Sequence, residues 1–184
     1  YERDIKMEKS IIKRDFQYII LNCFTNRIPC WMIRKLFYKL FGMKIEKKAR
    51  IGLFTVVIAA QNITLGQRSV INEYCYLDGS GKIIIGDDVS ISSYAKIITS
   101  THYVDSPIFE YRTNKICIEN NVWVGACSII LDGSILKCKS VISSGCVFKN
   151  IAEENTVYFG NPAKLLKSRN LKNNYDIDYK PYFR

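Results

Sequence analysis

The chain holds one histidine, His102, within a stretch that reads I-T-S-T-H-Y-V-D-S-P-I-F-E-Y-R-T-N-K-I-C from residue 98 to residue 117. Imidazole titrates near neutral pH, so a histidine in a cleft can take the proton of a hydroxyl as that oxygen attacks. Asp105 stands three residues on, where it can orient the ring or simply solvate a loop. A single histidine is more often a packed or surface residue than a base. Asn72 and Asp78, in I-N-E-Y-C-Y-L-D-G-S-G-K, pair an amide with a carboxylate, a combination that suits the hydroxyls of a polyol. Asp78-Gly79 also reads as a plain turn. The seven cysteines are an odd set without a C-x-x-C pair, which reads as structural thiols in a reducing cytoplasm and argues against a zinc site or disulfide framework.

The element that must position these groups is a repeat. Leu65, Ile71 and Leu77, then Ile85, Ile91 and Ile97, then Ile118, Val124, Ile130, Leu136, Ile142 and Phe148 keep a six-residue beat. Four residues after each stands a residue no larger than valine, from Ser69, Cys75 and Gly81 through Thr101 to Cys146 and Ala152. A helix needs apolar spacings of three and four, and an alternating sheet needs two. A six-residue beat instead predicts an all-β solenoid in which each coil buries its face only against its neighbours. The beat extends back to Ile45, Ile51 and Ala59, which predicts about five coils, with two-residue stutters at Val57 to Ile58 and Ile83 to Ile84 taken up at corners. The stretch around His102 is the one long break, and such an excursion from a regular scaffold usually carries function.

The beat, together with N-N-V-W-V-G-A at 120–126, V-I-S-S-G at 141–145 and Y-F-G-N-P-A-K-L-L-K at 158–167, strongly resembles the hexapeptide-repeat acyltransferases over residues 45–169. The resemblance implies a left-handed parallel β-helix, three hexapeptides to a coil. That hand is an exception to the usual right-handed crossover and comes from the resemblance alone. It also implies acetyl-CoA as co-substrate, no metal, and His102 as the catalytic base. An oxyanion donor is implied at the Ala126 amide, with Trp123 beside the thioester. Gly125, Ala126, Ser144 and Gly145 would lie along the pantetheine arm and Lys164 and Lys167 at the phosphates, with Arg169 a weaker candidate. Asn72 and Asp78 fall on the side where sugar-acetylating relatives hold the acceptor. The family forms homotrimers with active sites between subunits. The N-terminal run, L-D-G and T-H-Y-V-D-S-P most resemble its bacterial surface-polysaccharide O-acetyltransferases.

Three segments follow: amphipathic helices over 1–44, the β-helix over 45–169 with its loop at 99–117, and a tyrosine-rich tail over 170–184. The net charge of +10 is concentrated at the start, where residues 1–50 carry 13 Lys or Arg against 5 acids. Ile11, Ile12, Phe16, Ile19, Ile20, Cys23 and Phe24, and then Trp31, Ile33, Leu36, Phe37 and Leu40, recur at helical spacing. Two helices packed on the first coil are the plain expectation. The alternative is a basic, apolar surface lying on the inner membrane from the cytoplasm. Charges break every candidate membrane span, and no secretory signal is visible. The chain begins at Tyr1 without a methionine, which suggests that residues precede it. Nucleic acid is disfavoured because no basic stripe with interleaved aromatics runs along the repeats.

These features point to an O-acetyltransferase acting on a sugar hydroxyl in capsule or O-antigen biosynthesis. An N-acetyltransferase for a nucleotide-linked amino sugar would use the same base and groove. A non-catalytic β-helix scaffold would show a flat face of repeated threonines and no loop, and a γ-type carbonic anhydrase needs three histidines for zinc.

Overall fold

A computed structural model describes residues 2–179, with side chains described from residue 11 onward. Tyr1 and the last five residues of the predicted tail lie outside the described residues. Short parallel strands stack into a three-sided solenoid, and among the described residues it has five complete coils and two sides of a sixth. The first side runs from Lys44–Ile45 to Ile151–Ala152, the second from Arg50–Ile51 to Thr156–Gly160, and the third from Val56–Ile58 to Val147–Phe148.

Each side buries one in-register apolar column. The first is Ile45, Leu65, Ile85, Ile118, Leu136 and Ala152. The second is Ile51, Ile71, Ile91, Val124, Ile142 and Tyr158. The third is Val57, Leu77, Ile97, Ile130 and Phe148. The predicted register therefore holds from Leu65 to Phe148, with two corrections. Ala152, read as a small corner residue, ends the first column. Val57, not Ala59, opens the third column, and Ala59 turns a corner at φ 51°.

The stutters also lie elsewhere than expected. Val57 and Ile83 sit squarely in strands, and the additional residues fall at Ala60–Asn62 and around Gly79–Lys82. Both places are the corner where the third side passes to the first. The chain is longer there, and Ile63, Ile83 and Ile116 fill the wider corner where small residues stand elsewhere. Gly81 and Thr101, read as inward small residues, are consequently only half-buried. The His102 excursion leaves the solenoid at this same corner.

The helices correct the sequence reading more strongly. Helix α1 (Glu2–Ile19) continues through a wide turn at Ile20–Phe24, and α2 spans Trp31–Leu40. Their contact with the first coil is substantially polar. The end of a solenoid exposes unpaired peptide groups, which apolar side chains cannot satisfy. Asn22 donates to the Val57 carbonyl at 2.9 Å and accepts from the Val57 amide at 2.8 Å. The Phe54 amide donates to the Asn26 carbonyl, and buried Arg34 donates to the carbonyls of Ile28, Pro29 and Ile51. Leu21, Trp31 and Tyr38 supply the apolar part of this cap. Ile12, Phe16 and Ile19 on α1 and Met32, Leu36 and Leu40 on α2 face outward instead. No helix among the described residues is long and apolar enough to cross a membrane.

The tail folds back along the corner between the first and second sides. Arg169 donates to the carbonyls of Asn121 and Lys139, Tyr175 exchanges hydrogen bonds with Asn121, and Asp176 pairs with Arg68 at 3.4 Å. The Ile177 amide reaches Asp88. Asn22→Ala strands both peptide groups of Val57 at the buried end of the coil. The expected loss is about 1–3 kcal/mol in urea unfolding.

Candidate active site

His102 ends the first leg of a β-hairpin, in which Ser100–His102 pairs antiparallel with Tyr111–Thr113. Its Nδ1 lies 2.8 Å from the Phe109 carbonyl oxygen, which can only accept, so Nδ1 is the donor and in the neutral ring the lone pair falls on Nε2. The ring stacks on Phe109 with centroids 3.7 Å apart and meets Tyr111 edge-on at 5.5 Å. A peptide carbonyl, and not Asp105, therefore sets the tautomer. Asp105 is exposed at the hairpin tip and makes no hydrogen bond to the ring.

A groove of about 630 Å³ lies on the second side, lined by Trp123, Val141, Ser143, Ser144, Val157 and the returning segment Lys167 to Asn170. Trp123 is half-exposed, and its indole N–H donates to the Ser92 hydroxyl at 3.1 Å. The lining arises from the period: Trp123, Val141 and Val157 are successive register partners pointing outward from stacked coils. At the edge of the groove the chain turns twice, through Gly125-Ala126-Cys127 and Ser143-Ser144-Gly145. The Gly145 amide donates to the Ala126 carbonyl at 2.8 Å, whereas the Ala126 amide has no partner among the described residues. A Cβ on Gly125 would come within 2.4 Å of the Ser144 nitrogen, so only glycine lets the two corners stack this closely. Gly145 sits at φ +72° with open space where a Cβ would be, so its glycine is needed for conformation.

The structure thus brings Trp123, Ser144 and Lys167 together and sets Gly125, Ala126 and Gly145 at the groove's rim. Lys164 is exposed near the Asn161-Pro162 turn and does not line the groove. Arg169 does line it, while its guanidinium is committed to two peptide carbonyls. Sequence reasoning missed Val157, Ser168 and Asn170, and from V-I-S-S-G it singled out Ser144 and Gly145 but not Val141 and Ser143. The outward register shared with Trp123 was the available signal for the two valines.

Asn72 is half-buried on the second side and donates to the Ile91 carbonyl at 2.9 Å. Tyr179 of the tail, Glu73 and Arg50 line a small cavity together with it. Asp78 is only 3% exposed, and its carboxylate accepts from the amide and hydroxyl of Ser80 and from the hydroxyl of Ser100. Lys149 is paired with Asp132 at 3.1 Å.

No protein-family model matches the chain. It is 30% identical over 181 residues to the galactoside O-acetyltransferase of Lactococcus lactis subsp. lactis (strain IL1403), covering 96% of this chain and 72% of that protein. It is 31% identical over 147 residues to the dTDP-4-amino-4,6-dideoxy-D-glucose acyltransferase of Escherichia coli, covering 74% of this chain and 77% of that one. Among solved structures, a hexapeptide-repeat acetyltransferase from Vibrio cholerae O1 biovar eltor complexed with acetyl coenzyme A matches with a TM-score of 0.79 and 26% identity. That match covers 86% of this chain and 88% of the other.

Gly125→Ala forces the two corners apart, because its new methyl meets backbone and not a movable side chain. The expected outcome is a folded protein whose affinity for acetyl-CoA, measured by calorimetric titration, falls at least about tenfold.

Proposed function

The chain belongs to the hexapeptide-repeat acetyltransferases, left-handed parallel β-helix enzymes, and from that premise we propose that it moves an acetyl group from acetyl-CoA directly to a sugar hydroxyl. The observation that carries this reading is the imidazole of His102, held at Nδ1 by the Phe109 carbonyl on an excursion from the solenoid, with Nε2 left free of that bond. In the proposed step Nε2 accepts the hydroxyl proton while the sugar oxygen forms a bond to the thioester carbon. Negative charge gathers on the former carbonyl oxygen, where the unpartnered Ala126 amide is available as donor. The carbon–sulfur bond then breaks, and the imidazolium returns its proton to the leaving thiolate. The thioester is already activated, so no protein nucleophile is needed.

One chain does not bring these parts together by itself. The groove lies on the second side of the prism, and the hairpin leaves from the opposite corner, between the third and first sides. No hairpin residue lines the groove. This supports a homotrimer in which the hairpin of one subunit faces the groove of the next. Trp123 and Lys167, with Ser144 and Gly145, would hold the coenzyme; Asn72 would face the acceptor. The similarity to a galactoside O-acetyltransferase favours oxygen as the acceptor atom, and a 27% identity to a putative lipopolysaccharide biosynthesis O-acetyl transferase of Escherichia coli (strain K12) supports a place in polysaccharide biosynthesis. The similarity to the amino-sugar acyltransferase supports nitrogen as the second reading.

The helices support peripheral contact with the inner membrane. Met32 and Leu40, each 71% exposed, line up with Leu36 on α2, and Ile12, Phe16 and Ile19 form a matching stripe on α1. Lys13, Arg14, Arg27, Lys35 and Lys39 accompany them, a composition suited to anionic lipid.

His102→Ala is expected to lower turnover about 100-fold or more with acetyl-CoA affinity unchanged; retention of more than a few per cent of activity removes the base assignment. Assays with matched hydroxyl and amino sugars separate the two acceptor readings. A mass in solution of three chains is expected, and an active monomer refutes the shared site. Co-sedimentation with phosphatidylglycerol vesicles is expected to fall at high salt and in Leu36→Glu, and equal pelleting with phosphatidylcholine counts against an anionic surface.

A further inference from the structure

The hairpin that carries His102 is the part of the site least supported by the repeat, yet its root is stitched to the solenoid by two buried carboxylates. Asp78, at the end of the third side in the second coil, holds the outgoing leg. Its carboxylate accepts from the Ser100 hydroxyl two residues before His102, and Ser80 supplies the other donors. Next to it, the buried Thr99 hydroxyl donates to the Asp78 carbonyl at 2.6 Å and accepts from the Gly81 amide at 2.7 Å. Asp132, in the corner after the fourth coil and 6% exposed, holds the returning leg. Asn114 donates to it at 2.8 Å, Lys149 at 3.1 Å, and the Arg112 guanidinium lies 3.7 Å away. Arg112 in turn lies over the ring of Tyr103, the residue after His102, at 5.1 Å. Burial disfavours the charged form of Asp132, but the hydrogen bonds from Asn114 and Lys149 and the charges of Lys149 and Arg112 outweigh it and hold the carboxyl below its ordinary range.

We propose that Asp78 and Asp132 are positioning residues, each clamping one leg of the hairpin so that the His102 imidazole is held at a fixed place and angle above the solenoid. The two aspartates sit in L-D-G-S sequences, at 77–80 and 131–134, that flank the hairpin in the chain. Neither touches the imidazole. Each acts through intermediaries, Ser100 on one leg and Asn114 with Arg112 on the other. An imidazole displaced by about 1 Å can cost on the order of a hundredfold in rate without loss of binding.

The single histidine makes the test direct, since its ring gives the only imidazole signals in a heteronuclear NMR spectrum. Ser100→Ala opens one clamp, and Arg112→Ala combined with Asn114→Ala opens the other, and Ser100→Thr and Arg112→Lys with Asn114 kept restore the hydroxyl and the cation. The alanine variants are expected to shift or broaden the ring signals and to lower kcat between about ten- and a hundredfold, with acetyl-CoA affinity unchanged within about twofold. The conservative variants are expected to return both toward wild type. Ring signals that superimpose on wild type in both folded alanine variants overturn the proposal. Only the kinetic arm rests on His102 being the base. If His102→Ala keeps its turnover, that assignment fails, and the ring signals alone still decide whether the clamps position the hairpin.

Discussion

Every coil of this protein is stable only because the coil above and the coil below present the same strand in the same register. In-register parallel pairing, repeated at about 4.8 Å, lets isoleucine and leucine stack in continuous columns and satisfies the peptide groups of strands too short to pair alone. A shift of one residue would turn a column outward. Departures from the six-residue beat therefore have to be made at corners, where no ladder is broken. The three lengthenings, at Ala60–Asn62, at Gly79–Lys82 and at the His102 hairpin, and the one shortening, between Phe148 and Ala152, fall on one corner, and larger isoleucines fill the interior widened by the lengthenings.

The same pairing leaves two open ends, and each is closed differently. At the start, side-chain amides and a guanidinium meet the bare peptide groups of the first coil, so the polar residues of the helices turn inward and their apolar stripes are released to the outside. At the other end, the strand Thr156–Gly160 pairs with the returning strand Ala163–Ser168, which covers it and leads the chain back past the groove. The tail then runs down a corner held by Arg169, Tyr175 and Asp176. Stacked Phe54, Tyr74 and Tyr94, with centroids 5.0 Å apart, line another corner. They adopt left-handed φ values that bulky residues seldom accept, and the ring contacts offset part of that strain.

The chemistry inherits its geometry from this scaffold. The groove exists because Trp123, Val141 and Val157 are register partners, and the close corners at Gly125 and Ser144 exist because glycine leaves room for them. The imidazole, by contrast, belongs to a non-repeating excursion and depends on side chains at its root. A buried aspartate that in the sequence resembles a sugar contact is used there to hold backbone and hydroxyls in place.

From the sequence alone the solenoid, its columns from Leu65 to Phe148, the break around His102 and the glycine-bearing motifs of the groove were legible, because each is a local spacing repeated many times or a motif of adjacent residues. The direction of the helical faces, the partners of Asp78, the Phe109 carbonyl behind His102 and the path of the tail were not. Each depends on which unpaired peptide or polar group a distant part of the chain brings near. Periodicity shows which residues share a side of the coil; only the folded chain decides whether a carboxylate buried there meets solvent, a substrate or a serine from the next coil.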